Sequence, residues 1–393
     1  MRVLFVSAWF PHPPLNGARR RVHQELHTLA SQHEVALLSF ADRADVDVTA
    51  PALRSLCHTV QVLPRPSFDP TSWRSRLAWL APQPRSLTAT FSAPMAEAVR
   101  RAVRGCDVAI ASQISCAAYA PYFDGVPALC DELELGALHG QLSHPDALQR
   151  WRARLMWRKY RYYLRHLLRR FRACTVVSER ERTLLAGVVG TALPIYVLPN
   201  GVDADAYPHD TTRQPDTLLF TGSLRYAPNH DGMRWFIGAV WPRIRSARPA
   251  ARLLITGDGT ELGLPPAAGI ERTGMLDDIR PLLSTATLAI APIFAGGGTR
   301  MKILEAMAAG TPVVASTKGV EGIDAIAGEH LLVADDPDEF AAHIVALLTD
   351  TGLRRRLSDA GRELVRSRYD WRTLGPQFEA LVTSVARGLS PLP

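Results

Sequence analysis

The chain has 393 residues, 47% apolar and 21% charged, with five cysteines and a formal net charge of +7. That length exceeds what one hydrophobic core serves, so two domains are expected, and the composition is globular rather than disordered or fibrous. The cysteines, at 57, 106, 116, 130 and 174, form no CxxC pair and no disulfide-framework spacing, which excludes the usual zinc patterns and fits a reducing cytoplasm.

The opening run Val3–Phe10, stopped by Pro11, is too short for a signal-peptide core and reads as a first buried strand. No apolar stretch is long enough to predict a membrane span. Strand candidates continue at Val35–Ser39, Val60–Leu63, Val108–Ala111, Ala128–Cys130, Cys174–Val177 and Ile195–Val197. Between them helices are expected over Gly17–Ser31, Ala93–Gly105, Arg150–Arg172 and Glu179–Gly187. Leu198–Pro215 is rich in turn residues, and the domain boundary is placed there, giving domains of 1–200 and 201–370. The pattern restarts with strand Leu218–Thr221, helix Asp231–Ile244, strands Leu253–Thr256 and Ile270–Thr273, helix Asp277–Leu283 and strand Leu288–Ala291. Strand Val313–Ala315, helices near Pro337–Leu348 and Gly352–Ser367, and a last helix over 371–393 complete it. Alternating strands and helices predict α/β domains with parallel sheets.

Charge is uneven along this pattern. Residues 1–200 hold 25 Lys+Arg against 15 Asp+Glu, the remainder 20 against 23. Segment 150–172 holds ten basic residues and no acidic one. Basicity this local argues against nucleic-acid binding. Trp151, Leu155, Leu164, Leu167, Leu168 and Phe171 recur at roughly helical spacing, as in a surface helix with one face in the core. The other reading of 150–172 is a peripheral dock for an anionic membrane leaflet or lipid-diphosphate acceptor, with Trp157, Tyr160 and Tyr163 near the interface.

Residues 291–315 are the most informative stretch. A strand runs into Gly296, Gly297 and Gly298, Thr299 is expected to open a helix bearing Arg300, Lys302 and Glu305, and Gly310 and Pro312 close it. Glycines let backbone N–H groups approach a phosphate, and a helix N-terminus adds partial positive charge. Arg and Lys in a first turn oppose the helix dipole unless an anion is near. Glu305 offers acceptors for a sugar's vicinal hydroxyls. The run therefore reads as a nucleotide-sugar site.

Together with Pro199-Asn200-Gly201-Val202-Asp203, Phe220-Thr221-Gly222-Ser223, Pro228-Asn229 and Gly319-Val320-Glu321-Gly322, this motif resembles the group-1 or family-4 retaining glycosyltransferases of the GT-B fold. The resemblance implies two Rossmann-like domains facing a cleft, with the nucleoside-diphosphate-sugar donor on the C-terminal one and the acceptor mainly on the N-terminal one. The last helix is expected to cross back to the N-terminal domain. It implies no cofactor and no metal ion.

Relatives often carry two glutamates eight positions apart; Glu305 matches the second, and Gly297 stands where the first is usual. Many also carry an Arg and a Lys six apart after the first strand of the C-terminal domain, where this chain has Ser223 and Asn229. Arg225 is a nearby substitute, and Arg300 and Lys302 are expected to supply the missing positive charge. Gly222, Gly257, Gly274 and Met275 lie at strand C-termini, where open α/β sheets bind ligands, with Met275 implied for the base. Asn16 and Gly17, ahead of the first helix, are expected to face the donor phosphates. Asp131 closes a strand where relatives often have a cleft-facing acid or histidine; its alternative is a helix N-cap. Glu132, Glu134 and His139 follow it, and His12 is an acceptor-side candidate.

The function so implied is transfer of a hexose to a hydroxyl of a glycan, lipid-linked or natural-product acceptor, by a cytoplasmic enzyme with an optional peripheral place at the inner membrane face. The alternatives are an inactive nucleotide-binding partner of an active enzyme, and a sugar-nucleotide epimerase or phosphorylase of the same fold. A dinucleotide oxidoreductase lacks its GxGxxG with a following acid.

Overall fold

The computed structural model describes residues 1–14, 16–41, 46–47, 50–79, 81–191, 193–208, 212–259 and 261–389. The chain divides into two compact units, one running to Asn200 and resuming at Gly375, the other Gly201–Leu374.

The N-terminal unit is a parallel sheet of seven strands. They are β1 (Arg2–Ser7), β2 (Glu34–Ala41), β3 (Thr59–Pro64), β4 (Val108–Ser112), β5 (Ala128–Asp131), β6 (Ala173–Val176) and β7 (Ile195–Val197). Their spatial order is β3-β2-β1-β4-β5-β6-β7, with Val3 beside both Val35 and Val108. β4, β5 and β6 are buried at every residue, as strands covered on both faces must be. Helix α1 (Gly17–Ala30) follows β1; Asn16 caps it by accepting from Arg19 N at 3.0 Å, and Val22, Leu26 and Leu29 point into the core. Helix α2 (Ala147–Leu167), capped by Asp146, buries Ala153, Tyr160, Leu164 and Leu167.

The C-terminal unit has six parallel strands: β8 (Thr217–Thr221), β9 (Arg252–Thr256), β10 (Ile270–Gly274), β11 (Leu288–Ala291), β12 (Val313–Ala315) and β13 (Leu332–Val333). Their order is β10-β9-β8-β11-β12-β13. Helix α3 (Ala227–Trp235) begins four residues earlier than Asp231, because Pro228 in its first turn is tolerated rather than helix-breaking. It runs through a π-helical segment, Phe236–Val240, into helix Trp241–Ala247. Within α3, Gly232 lies so close to Pro292 that a Cβ would sit 1.8 Å from the Pro292 carbonyl oxygen. That contact sets the middle of α3 beside the end of β11. Helix α4 (Met301–Ala308) carries the motif residues, and its buried Ile303, Leu304, Ala306 and Met307 anchor it to the core.

Helix α5 (Trp371–Arg387) starts in the C-terminal unit, and from Gly375 on it belongs to the N-terminal one, where His33 Nε2 meets Glu379 Oε1 at 3.0 Å. Residues 390–393 of the expected last helix, and 209–211 of the expected linker, lie outside the described residues. Among the described residues no helix is long and apolar enough to cross a membrane.

Short helices absent from the sequence reading fill connections, among them Trp73–Leu77, Arg85–Ala89, Gln113–Ala117 and Gly136–Gly140. The arginine-rich helix begins at Ala147 rather than Arg150, and its aromatic residues are not arranged as expected. Tyr160 is buried and hydrogen-bonds Ser86 Oγ at 3.0 Å, and Trp157 packs edge-on against His139. Trp151, assigned to the core face, is exposed, because the buried stripe runs through Ala153 and Tyr160 instead.

Candidate active site

In the C-terminal unit, strand order reverses between β8 and β11, and open α/β sheets take ligands at the strand C-termini there. Backbone bonds lace these ends together: Gly222 N donates to Thr256 O at 2.9 Å and Gly257 N to Gly274 O at 3.0 Å. Lys302, in the first turn of α4, projects onto this point. Its Nζ donates to Asn229 Oδ1 at 2.9 Å and lies 3.9 Å from the centroid of the Phe220 ring. Asn229 Nδ2 in turn donates to Ser223 O at 2.7 Å. Gly222 has φ +133°, and a Cβ there would come within 2.9 Å of Lys302 Nζ. Burial, with help from Arg300 and against the pull of Glu305, brings the Lys302 ammonium down to about 7. The structure thus gathers Gly222, Ser223, Asn229 and Lys302, and sets a lysine beside Asn229.

The other motif cation behaves differently. Thr299 and Arg300 precede the helix, which starts at Met301, and Arg300 turns back on the glycine loop. Its guanidinium donates to Ala295 O at 3.1 Å, to Gly298 O at 2.9 Å and to Gly297 O. A loop outside helix and strand leaves carbonyls to be satisfied, and the buried Arg300 does that. Arg300 was expected to fork onto a diphosphate; in this structure its guanidinium braces the glycine loop. The loop itself passes through the left-handed region at Gly296 (φ +89°) and Gly298 (φ +77°). A Cβ on Gly296 would fall 2.3 Å from Tyr226 Oη, so the Tyr226 phenol reaches the glycine run from the β8 side.

Glu305 is buried, and its Oε1 accepts from Tyr207 Oη at 3.1 Å. It stands three residues after Lys302, on the same helical face. Arg225, the substitute cation, is exposed and faces Asp258 Oδ2 at 3.6 Å and Glu261. Two acids so placed hold it to the surface. Met275 is exposed at the end of β10, next to Gly274.

The N-terminal unit holds a second polar centre, and it is buried. Arg21, on α1, donates from Nη2 to Asp131 Oδ1 at 2.9 Å and from Nη1 to Leu198 O at 3.0 Å and Asn200 Oδ1 at 3.1 Å. Its Nε lies 2.7 Å from Glu25 Oε1, and Thr175 Oγ1 donates to Asp131 Oδ1 at 2.5 Å. Burial opposes the Arg21 charge, but Asp131, Glu25 and Glu132 outweigh it and hold the guanidinium above the ordinary arginine value. Burial and the neighbouring Asp131 push the Glu25 carboxyl well up. Asp131 is therefore neither a helix cap nor a solvent-facing acid; it anchors α1 to the end of β5.

Glu132, next along, has φ +54°, and its Oε2 accepts from Gln113 Nε2 at 3.0 Å. Gln113, itself at φ +70°, accepts from Trp9 Nε1 at 3.0 Å. Non-glycine residues in this region cost energy and cluster at functional sites. Burial raises the Glu132 carboxyl to about 8, with Arg21 opposing. The folded protein therefore keeps a proton here that the unfolded chain sheds near pH 4.5, and stability should fall as pH rises from about 5 to 8. Glu132→Gln should flatten that decline, recovering roughly 2–4 kcal/mol at pH 8 relative to pH 5. Urea denaturation at the two pH values measures it; parallel curves for variant and parent would refute the assignment.

His12 and Glu134 are half-buried, and His139 packs on Trp157 as above. Asn16 is spent capping α1, with Gly17 as the first helical residue. Arg21, Trp9, Gln113, Tyr207, Phe220 and Tyr226 were not expected as site residues. Only Arg21 left a trace in sequence, as one of three arginines against the dipole of a helix start.

Known families match both halves of this chain. A family model described as Glycosyltransferase Family 4 matches residues 15–206, and one described as Glycosyl transferases group 1 matches 215–350. A phosphatidyl-myo-inositol mannosyltransferase of Mycobacterium leprae is 35% identical over 207 residues, 48% of this chain and 53% of that protein. A Mycobacterium tuberculosis glycogen synthase is 32% identical over 232 residues, 55% and 54% of the two chains. The chain thus spans about half the length of the curated relatives it matches. Among solved structures, a sucrose-phosphate synthase of Thermosynechococcus elongatus superposes with TM-score 0.70 at 16% identity, covering 99% of this chain and 100% of that one. The Anabaena protein HepE in complex with UDP-glucose gives 0.68 at 16%, covering 98% and 100%. At such identities the likeness shows the fold, which is GT-B. With one glycosyltransferase model on each half and that fold along its length, the chain belongs to the group-1 and family-4 glycosyltransferases.

Proposed function

We propose that this chain moves a hexose from a nucleoside-diphosphate sugar to a hydroxyl of a glycan, lipid-linked or natural-product acceptor, without a metal ion and with retention at the anomeric carbon. The observation that carries the reading is the Lys302 ammonium, held against Asn229 and Gly222 at the reversal point of the C-terminal sheet. Such a charge stabilises a departing diphosphate, the electrostatic contribution that dominates catalysis of this kind. In the step proposed, the acceptor oxygen bonds to the anomeric carbon while that carbon's bond to the β-phosphate oxygen breaks. The diphosphate leaves with the electron pair and takes the acceptor's proton.

Backbone N–H groups of 296–298 approach the phosphates, Arg300 keeps that loop in shape, and Glu305, steadied by Tyr207, takes the ribose hydroxyls. The names of the matched relatives, a mannosyltransferase and a glycogen synthase, support hexosyl transfer. The Anabaena structure, solved with UDP-glucose, supports a nucleotide-sugar donor. The five free cysteines favour a reducing compartment such as the cytoplasm.

Thermal-shift measurements against UDP-, GDP- and dTDP-sugars test the reading, since a ligand of the native state raises apparent stability. One base series should raise the melting temperature, with transfer or slow donor hydrolysis that survives EDTA. No shift with any donor refutes it. A shift without transfer or hydrolysis turns the chain into a nucleotide-binding partner of another enzyme.

A further inference from the structure

The N-terminal unit contains a cavity of about 420 Å³ that the donor chemistry does not use. It opens at the C-terminal ends of β2 and β3, and Phe40, Arg65, Phe68, Leu87, Phe91 and Tyr119 line it. The rings form a layered wall: Phe91 stacks on Tyr119 with centroids 5.3 Å apart and planes 25° apart, and Phe40 meets Tyr119 at 6.2 Å. Phe68 and Phe91 are 42% and 40% exposed, so apolar ring surface faces the opening. Arg85 lies over the Phe68 ring at 5.3 Å, and the cation among the lining residues is Arg65. The Arg65 guanidinium lies over the Trp9 ring at 4.6 Å, and Trp9 is fixed by its bond to Gln113. No carboxylate pairs with Arg65 among the described residues.

An aromatic slot of this volume suits a small organic molecule. An arginine that always carries its charge, steadied on an aromatic face and without a counter-anion, suits an oxyanion. We propose that this cavity binds the non-sugar body of the acceptor, and that this body is a flat aromatic group bearing a carboxylate or phosphate. The assignment rests on the transferase reading only in calling the ligand an acceptor; binding itself is independent of it.

4-Hydroxycinnamate and its uncharged methyl ester are suitable probes, titrated calorimetrically into the full chain. The acid should bind, and at least tenfold more tightly than the ester. Arg65→Gln, at an exposed position, should erase that difference, and Ser67→Trp, which fills the cavity from its rim, should abolish binding of both. Both variants should keep the melting temperature of the parent and its thermal shift with nucleotide sugars. Absence of binding, equal affinity for acid and ester, or binding unchanged in Ser67→Trp each overturns the proposal. Donor shifts without probe binding remove this inference alone. Probe binding that obeys both variants, without any donor shift, removes the transferase reading and leaves the cavity standing.

Discussion

Replacing Lys302 by methionine should lower turnover by about two to three orders of magnitude, the scale seen when one charge-stabilising donor is removed from a leaving-group or oxyanion site. Methionine keeps the length and the apolar packing against Phe220, so the fold should survive and the loss should be chemical. The same residue sets a pH signature. Its ammonium is brought down to about 7 before any ligand arrives. A diphosphate beside it restores the proton, so donor affinity should be nearly flat below pH 7 and fall above it, approaching tenfold per pH unit, with proton uptake on binding. Titration calorimetry in two buffers of different ionisation enthalpy measures that uptake. In Lys302→Met both the uptake and the pH slope should vanish. The unliganded protein shows the opposite trend, because the unfolded chain holds the lysine proton up to about pH 10 while the folded one sheds it near 7. This residue's contribution to stability therefore rises with pH between those values. Arg225→Ala is the contrasting variant, since Arg225 is exposed and already faces Asp258 and Glu261. A larger loss from Arg225→Ala than from Lys302→Met would overturn the assignment of the charge to α4.

How far the loop and its side chains were legible in the sequence follows from the physics of each signal. Strands buried on both faces, such as Val108–Ser112 and Thr217–Thr221, show as apolar runs with no ambiguity about burial. Glycine runs, prolines and strand ends mark where backbone must bend, and they located 296–302. Side-chain direction is another matter. Arg300 and Lys302 are two residues apart, so they point to different sides of the chain; only tertiary contacts show that one satisfies loop carbonyls while the other reaches Asn229. Helices of five residues, such as Trp73–Leu77 and Gln113–Ala117, are too short to display a 3.6-residue period. The left-handed conformations of Gln113 and Glu132 leave no trace at all, since neither residue type favours them. Proline misplaced two helix starts. The helix expected from Asp277 begins at Arg280, with Pro281 in its first turn and Asp278 Oδ1 accepting from Arg280 N at 2.9 Å.

The largest stability effect should come from Arg21. Arg21 is 2% exposed, and its guanidinium ties three parts of the N-terminal unit together: α1, the end of β5 through Asp131, and the segment leaving β7 through Leu198 and Asn200. Arg21→Met would keep the volume but strand the Asp131 carboxylate and the Leu198 carbonyl in a dry interior. Removing one partner of a buried ion pair typically costs about 3–5 kcal/mol. Whole domains are stable by only about 5–15 kcal/mol, so this one change consumes a large part of the margin. At about 2–4 °C per kcal/mol for a unit of this size, the melting temperature should fall by roughly 10 °C. The test is whether the loss is an orphaned charge or merely lost packing. If it is the charge, adding Asp131→Asn to Arg21→Met should recover a substantial part of the loss, because the neutral amide has far less desolvation to suffer and Thr175 Oγ1 still donates to it. Packing alone predicts that the second change adds further destabilisation. Calorimetry on the parent, both single variants and the double variant separates the two, and a cost below about 1 kcal/mol for Arg21→Met would mean that water already reaches the cluster.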